Sequence, residues 1–203
     1  WSAIGKFIVK GQSPGLVGPA AGSYVSGRDA YFTWRPVPSA ASYQIERRTP
    51  GDGRILEVVR TVGLSWAPTR VIENGRYEWR VTAYDLKGGV LGRSGWRAFS
   101  VDGTAPRVVK KTPTKTATRT ANFVATFNEP VRGVNTTTMA LFVKGQQHRL
   151  SSTVRMSNGG KTATLNPAVN MKVGRFYTLR LTKGIKDRGG NPLKPLSWSV
   201  TVK

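Results

Sequence analysis

Apolar and polar residues alternate along this chain in runs that have the length of a β-strand. Across residues 76–83 every second residue is apolar, including Tyr77 and Trp79, and every intervening residue is polar or charged. The same alternation returns in residues 177–182, which begin at Tyr177. A period of two is typical of a strand with one face in a core and the other in water. We therefore predict an all-β protein that consists of two tandem antiparallel β-sandwiches.

Domain boundaries follow from chain length and from turn signals. The 203 residues suit two domains of about 100 residues each, and glycines and prolines punctuate short apolar runs at the spacing of a sandwich. We expect one domain at residues 11–102 and a second at residues 103–203, because the pattern changes between them. Residues 1–9 resemble residues 96–101, and each stretch precedes a proline-containing linker. We interpret residues 1–10 as the last strand of a preceding repeat or as an N-terminal extension.

Three motifs in the first domain occur in the order that is typical of a fibronectin type III domain. They lie at residues 32–38, 41–46 and 74–83. Residues 14–102 therefore resemble that family. The resemblance implies that Trp34 packs between the two sheets and that the hydroxyl of Tyr77 binds back to the chain and pins a corner.

The second domain carries a different series of motifs. They lie at residues 102–109, 121–131, 157–167, 177–179, 184–193 and 198–202. This order covers the whole domain and resembles the Ig-like sandwich of bacterial S-layer and other surface proteins. Members of such families are commonly acidic, whereas this domain is basic, so the family does not by itself imply a polyanion-binding role.

The net charge of +22 is unevenly divided between the two domains. Of the 32 Lys and Arg and the 10 Asp and Glu, residues 1–102 hold 14 and 8, which leaves 18 basic and two acidic residues for residues 103–203. A net charge of +16 on one small domain attracts polyanions and accelerates their encounter. A generally basic, solvated surface shaped by genome composition is the alternative.

Nine cations in the second domain are candidate polyanion contacts, in one group before its first long apolar run and another around the strand that contains Tyr177. They are Lys110, Lys111, Lys115, Arg119, Arg175, Arg180, Lys183, Lys186 and Arg188. If these cations lay on one face, they would bind an anionic cell-wall polymer such as teichoic acid, or a polysaccharide. We do not predict specific nucleic-acid binding, because no groove-reading helix and no aromatic residues interleaved with these cations are apparent.

Catalysis is not predicted. The chain has no cysteine and one histidine, His148, which lies in a turn-like stretch without an acidic neighbour in sequence. Only Glu129 and Asp187 are acidic in the second domain, so a converging pair of carboxylates has few candidates there. We expect His148 to be a solvated loop residue, and we expect neither enzymatic activity nor a cofactor.

The two acidic residues of the second domain have structural interpretations. Glu129 precedes Pro130 and is expected to cap backbone N–H groups at a strand end. Asp187 opens a turn that ends at Asn191, in which side chains bind local N–H groups and glycines take positive φ. A calcium site at Asp187 and Asn191 is the alternative, but calcium prefers six to eight oxygens and usually several carboxylates.

The six tryptophans raise the question of sugar stacking. Trp34 and Trp79 lie on inward registers and are expected in the core. Trp96 and Trp198 are expected to begin final strands and to pack against a linker. Trp66, near Pro68, is the candidate for an exposed stacking ring.

We expect a non-catalytic spacer or adhesion module of a larger secreted or wall-associated bacterial protein, located outside the cell or in its wall. Two alternatives are accessory domains of an extracellular hydrolase and a polyanion-binding module. The chain has no initiator Met, no signal-like leader and no long apolar segment, so we expect a fragment without a transmembrane segment.

Overall fold

The computed structural model describes residues 12–27 and 29–203. The predicted strand at residues 1–10 lies outside the described residues. The chain divides into two compact units, with the division between Gly103 and Thr104.

The first domain is a β-sandwich of nine described strands. They are β1 (Leu16–Gly18), β2 (Tyr24–Val25), β3 (Phe32–Trp34), β4 (Ser42–Arg48), β5 (Ile55–Thr61), β6 (Ser65–Trp66), β7 (Gly75–Tyr84), β8 (Val90–Arg93) and β9 (Arg97–Val101). One sheet has the order β1–β3–β6, and the other has the order β2–β9–β7–β4–β5, with β8 paired to β7 as well. This is the fibronectin type III-like sandwich that the sequence predicts.

The alternation of residues in β7 explains the core of this domain. Tyr77, Trp79 and Val81 are buried, while the charged residues between them point to the outer face. The ring of Phe32, from the opposite sheet, meets Trp79 edge-on with centroids 5.1 Å apart. It also meets Phe99 edge-on at 5.5 Å, and this geometry is favourable for aromatic rings.

The second domain is also a sandwich, with eight strands and one short 3₁₀ turn at Asn158–Gly160. The strands are β10 (Val108–Thr112), β11 (Thr116–Ala117), β12 (Phe123–Phe127), β13 (Met139–Val143), β14 (Ser152–Ser157), β15 (Thr162–Pro167), β16 (Phe176–Leu181) and β17 (Leu196–Val202). One sheet has the order β10–β12–β15–β14 and the other the order β11–β17–β16–β13.

Inward residues of both sheets fill the core of the second domain. Tyr177, Leu179 and Leu181 alternate along β16, and all three are buried together with Phe123 and Phe127 from the opposite sheet. Residues between them in sequence therefore face away from the core. Since the period of a strand is two, a shift of one residue in register would reverse both faces.

In each domain the first segment of chain contributes to both sheets. Strand β1 pairs with β3, and β2 then runs parallel to β9 in the other sheet. In the second domain β10 pairs with β12, and β11 then runs parallel to β17. The peptide bonds before Pro19 and Pro113, which lie between the two strands of each pair, are cis.

The predicted fold class is confirmed, and the five rings on which it rested are buried. These are Trp34, Tyr77, Trp79, Phe127 and Tyr177. The part of the chain that the structure describes contains no helix with the length and hydropathy of a membrane span.

Candidate functional site

Three ion pairs neutralise much of the charge on the larger sheet of the first domain. They are Arg47–Glu57 at 3.1 Å, Arg48–Glu78 at 2.7 Å and Arg80–Glu46 at 2.6 Å. Each pair joins adjacent strands of the sheet. Because these guanidinium groups already have carboxylate partners, they are poorly suited to hold an external anion.

Trp96 lies on the outer side of the same sheet and contacts two of these arginines. The guanidinium carbons of Arg48 and Arg80 lie 4.0 Å and 4.2 Å from its ring centroid. The indole is half-buried by this contact. Two cations with carboxylate partners thus cover the ring, a contact that the sequence did not predict.

The second domain lacks the carboxylates for such neutralisation. Glu129 accepts a hydrogen bond from the side-chain amide of Asn128 at 3.1 Å, while Asn128 Oδ1 binds the backbone N–H of Arg107 at 2.7 Å. Asp187 is fully buried. Two carboxylates can pair with few of the 18 cations in residues 103–203, so the surface of this domain is strongly positive.

The turn that contains Asp187 has the predicted geometry. Its two carboxylate oxygens accept hydrogen bonds from the backbone N–H and the side-chain amide of Asn191, each at 2.8 Å. Gly190 has a φ of +90°, which few other residues adopt. This turn supplies one carboxylate, whose two oxygens already accept N–H donors, and a carboxylate oxygen of Glu129 lies within 4.8 Å of it. Two carboxylates remain fewer than calcium usually prefers.

The first group of predicted cations is divided between surfaces. Lys110 is exposed on β10, opposite Thr126, on the outer face of its sheet. Lys111 lies with its ammonium 5.3 Å from the ring centroid of Trp198. Lys115 and Arg119 are exposed on either side of β11.

The second group is divided as well. Arg175 and Arg180 lie at opposite ends of β16, separated by about 17 Å of extended chain. Lys183, Lys186 and Arg188 are exposed in the turns that follow this strand. The backbone of Lys186 forms an isolated bridge with Arg132.

One end of the domain does bring residues of both groups together. The backbone N–H of Thr201 donates to Lys115 O at 2.9 Å, and that of Val202 donates to Arg175 O at 3.1 Å. Arg119 Nε donates to Met171 O at 3.4 Å on the same end. The nine cations are thus distributed over both sheets and both ends and do not share a single face.

A surface that the sequence did not predict lies on the outer face of the β11–β17–β16–β13 sheet. We call it the aromatic face and define it as Phe142, Lys144, Phe176, Thr178, Arg180, Ser197, Ser199 and Thr201. Arg180 lies 4.4 Å from the ring centroid of Phe142, and the Lys144 ammonium lies 5.1 Å from that of Phe176. Of the nine predicted cations, only Arg180 belongs to it. The sequence did not reveal this surface, because its outward rings are aligned by the pairing of β13 with β16, which no local pattern shows.

The other sheet has a polar pocket on its outer face. It has a volume of about 470 Å³ and is lined by Asn122, Thr153, Arg155, Met156, Ser157, Thr164 and Asn166. No aromatic residue lines it, so it offers hydrogen bonds and one cation but no stacking ring.

The remaining predicted residues lie as follows. His148 is exposed in the turn after β13, as expected of a loop histidine. Trp66 is not the exposed ring that we predicted, because it is half-buried against Phe32 at 5.2 Å. Trp198 is buried within β17, and its indole N–H donates to Pro113 O at 2.8 Å. The prediction that it begins its strand is wrong, since β17 starts at Leu196.

Comparison with known proteins yields one family match. Residues 102–202 match the model of the bacterial Ig-like domain. No curated protein sequence matches the chain.

Solved structures that match the chain come from a bacterial S-layer protein and from fibronectin(III)-like modules. Two are of the bacterial S-layer protein SbsC. Its N-terminal part is 24% identical over 49% of this chain and 24% of that one, with a TM-score of 0.40. Its domains 1 to 6 are 25% identical over 48% and 14% of the chains, also with a TM-score of 0.40. The fibronectin(III)-like modules of Clostridium thermocellum CbhA are 15% identical over 94% of both chains, with a TM-score of 0.46. This chain therefore spans a quarter or less of the SbsC chains.

Proposed function

Residues 102–202 are a bacterial Ig-like domain that follows a fibronectin type III-like domain, and from this premise we propose that the chain is a non-catalytic accessory module of a larger bacterial surface protein. In this function the two sandwiches space and display neighbouring domains. The second domain also holds them at the envelope through its positive surface. The single observation that carries the proposal is the family match of the second domain.

The chemistry of the chain supports a non-catalytic function. Bacterial Ig-like and fibronectin type III-like domains are typically non-catalytic modules. His148 is exposed, and Asp187 is bound within its own turn. A general base or nucleophile needs a partner within hydrogen-bond reach, and the hydrogen bonds of the Asp187 carboxylate go to Asn191 in its own turn.

Wall contact through the second domain is supported by the charge asymmetry. The second domain has 18 cations and two carboxylates, whereas the first domain pairs three of its sheet arginines with glutamates. Teichoic acids and acidic polysaccharides in a cell wall are polyanions. A positive domain is attracted to them, and salt weakens this attraction.

Binding to purified bacterial walls tests the proposal. The 203-residue chain, fused to a fluorescent protein, is incubated with walls that retain or lack their anionic polymers. We expect retention at low salt that falls as salt rises, and little retention on stripped walls. Absence of retention at low salt would contradict wall contact, and release of sugar from the walls would contradict a non-catalytic function.

A matched pair of charge variants assigns the contact to a domain. Four Lys or Arg to Gln substitutions in the second domain are compared with four in the first domain that spare the ion-paired arginines. We expect only the first set to reduce retention. Equal losses would contradict a specific contribution of the second domain.

A further inference from the structure

We propose that the aromatic face binds an acidic polysaccharide, with its rings against the sugars and its cations against their carboxylates. This inference rests on the proposed wall contact and gives that contact a site. It adds the chemical class of the ligand, which is a chain of pyranose units that carries carboxylates.

The orientation of the face follows from the core. Tyr177, Leu179 and Leu181 of β16 point inward, so Phe176, Thr178 and Arg180 point outward. In the same way Trp198, Val200 and Val202 of β17 are buried. The outward residues of β17 are therefore Ser197, Ser199 and Thr201.

Two cation–aromatic pairs lie side by side across β13 and β16. The backbone N–H of Lys144 donates to the backbone carbonyl oxygen of Phe176 at 2.9 Å. This bond places the lysine beside the ring that its ammonium contacts. Phe142 lies opposite Thr178, one step from Arg180, whose guanidinium covers it. Phe176 is 48% exposed, which is unusual for a large ring on a sheet face. A half-exposed ring with a cation over it presents an apolar surface to a sugar and a charge to the carboxylate of the same unit.

A row of hydroxyl groups on β17 continues the face. Ser197, Ser199 and Thr201 lie opposite Arg180, Thr178 and Phe176 in that order. The hydroxyl oxygens of Thr178 and Ser199 are 2.8 Å apart and hydrogen-bonded. With three strands about 5 Å apart, the face is about 10 Å wide and suits an extended chain. Hydroxyl groups in a row match a ligand that is itself rich in hydroxyls, which favours a polysaccharide over a nucleic acid.

The aromatic face carries two cations, Lys144 and Arg180, and no acidic residue. Residues 130–203 contain the three strands of this face, and the single acidic residue among them is Asp187, which is buried. Lys144 and Arg180 contact aromatic rings. Because a ring carries no net charge, the charge of each side chain remains available to an anion. In contrast, Arg48 and Arg80 of the first domain contact a ring but also bind glutamates.

The opposite sheet of the same domain supplies a matched control surface. Arg155 is exposed on β14, opposite Thr164, and Arg107 is exposed just before β10. Residues such as Val124, Thr126 and Thr164 face outward on this sheet, which carries cations but no outward ring. Removal of two charges from it leaves the net charge equal to that of a double variant of the aromatic face.

The charge test uses the 203-residue protein and polygalacturonate as probe at low salt. The variant Lys144→Gln/Arg180→Gln is compared with Arg107→Gln/Arg155→Gln. We expect the first to weaken binding by about tenfold and the second by about twofold or less, because only the first removes direct contacts. Neutral dextran is expected not to bind, and equal binding of dextran would contradict recognition of carboxylates.

The ring test separates this site from diffuse attraction. Phe176→Ala leaves the charge unchanged and is expected to weaken binding about fivefold. Phe176→Tyr keeps an aromatic ring and is expected to bind as the unsubstituted protein does. Unfolding by urea checks that each variant is folded. Binding unaffected by Phe176→Ala would overturn the aromatic face as the site.

The outcomes distinguish this proposal from the proposed function. Equal losses in the two charge variants would overturn the site but leave wall contact intact. Failure of the unsubstituted protein to bind polygalacturonate, together with retention on walls, would overturn the ligand class alone. Failure on both would end both proposals. Tighter binding of a single-stranded oligonucleotide at the same face would also overturn the polysaccharide assignment.

Discussion

The hydroxyl of Tyr77 donates a 2.9 Å hydrogen bond to the carbonyl oxygen of Glu73, four residues earlier. The bond ties strand β7 to the loop before it at the edge of the core. Tyr177 has a related function in the second domain, where its hydroxyl accepts the backbone N–H of Lys172 at 2.9 Å. Each domain thus fixes the entry to a central strand by one buried phenol.

Tyr77→Phe removes one of these bonds while keeping the ring. We expect the first domain to lose about 1 kcal/mol of unfolding free energy, because a partly buried carbonyl is left unpaired. Native-state hydrogen exchange, measured separately for the amides of each domain, checks this. Tyr177→Phe should have the reciprocal effect on the second domain, and Tyr31→Phe, at an exposed ring, should affect neither. Equal effects of Tyr31→Phe and Tyr77→Phe would contradict the corner.

Leu179→Ala tests the assigned faces of β16. Leu179 is fully buried, so its truncation should cost about 3 kcal/mol through lost burial and a cavity. Thr178→Ala, at the adjacent outward position, should cost about 1 kcal/mol or less. Urea unfolding measures both. A larger loss for Thr178→Ala would mean that the register is shifted by one residue.

Gly27→Ala tests a close backbone contact in the first domain. A Cβ at this buried position would lie 2.1 Å from the carbonyl oxygen of Ile72, which is far inside van der Waals contact. We expect a loss of about 2 kcal/mol, because backbone must move to accommodate the methyl group. Gly95→Ala, where no atom lies within 4 Å, is the control and should change stability by less than about 0.5 kcal/mol. Thermal unfolding compares the two, and similar losses would contradict the contact.

Thr49→Val tests the turn between β4 and β5 by its effect on a carboxyl group. The hydroxyl of Thr49 and then the backbone N–H of Arg54 lower the pKa of Asp52 below its ordinary 3.8. The contribution of Asp52 to stability is therefore complete above pH 3.8 and is lost as pH falls through its lower folded pKa. We expect Thr49→Val to raise this pKa towards 3.8, as measured by NMR titration of the carboxyl carbon. Thr116→Val, in the other domain, should not change it, and an unchanged pKa in Thr49→Val would contradict the hydrogen bond.

Trp96→Ala tests the arginine contacts on the first domain. Loss of the ring removes two cation–aromatic contacts, and we expect a cost of about 1 kcal/mol. Trp96→Phe retains a smaller ring and should cost less. Chemical unfolding measures both, and an equal cost for the two variants would show that aromatic character is irrelevant.

Alternation in the sequence determined the strands, their buried sides and the fold class. Trp34 and Trp79 could be assigned to the core because inward residues of a half-exposed strand recur with a period of two, which is a local property. The corner at Tyr77 was implied by the resemblance to fibronectin type III domains, and its hydrogen bond spans four residues. The turn at Asp187 was predicted because its hydrogen bonds also span four residues.

Only the tertiary structure decided which strands are neighbours, and hence which outward side chains meet. Phe142 and Arg180 are 38 residues apart, so no local pattern could pair them, and the sequence grouped Arg180 with Arg175 at the far end of the same strand. The contacts of Trp96 were not predicted for the same reason, because its arginines come from β4 and β7. Burial is encoded by local periodicity, whereas a surface is assembled by the order and register of strands that are distant in the chain.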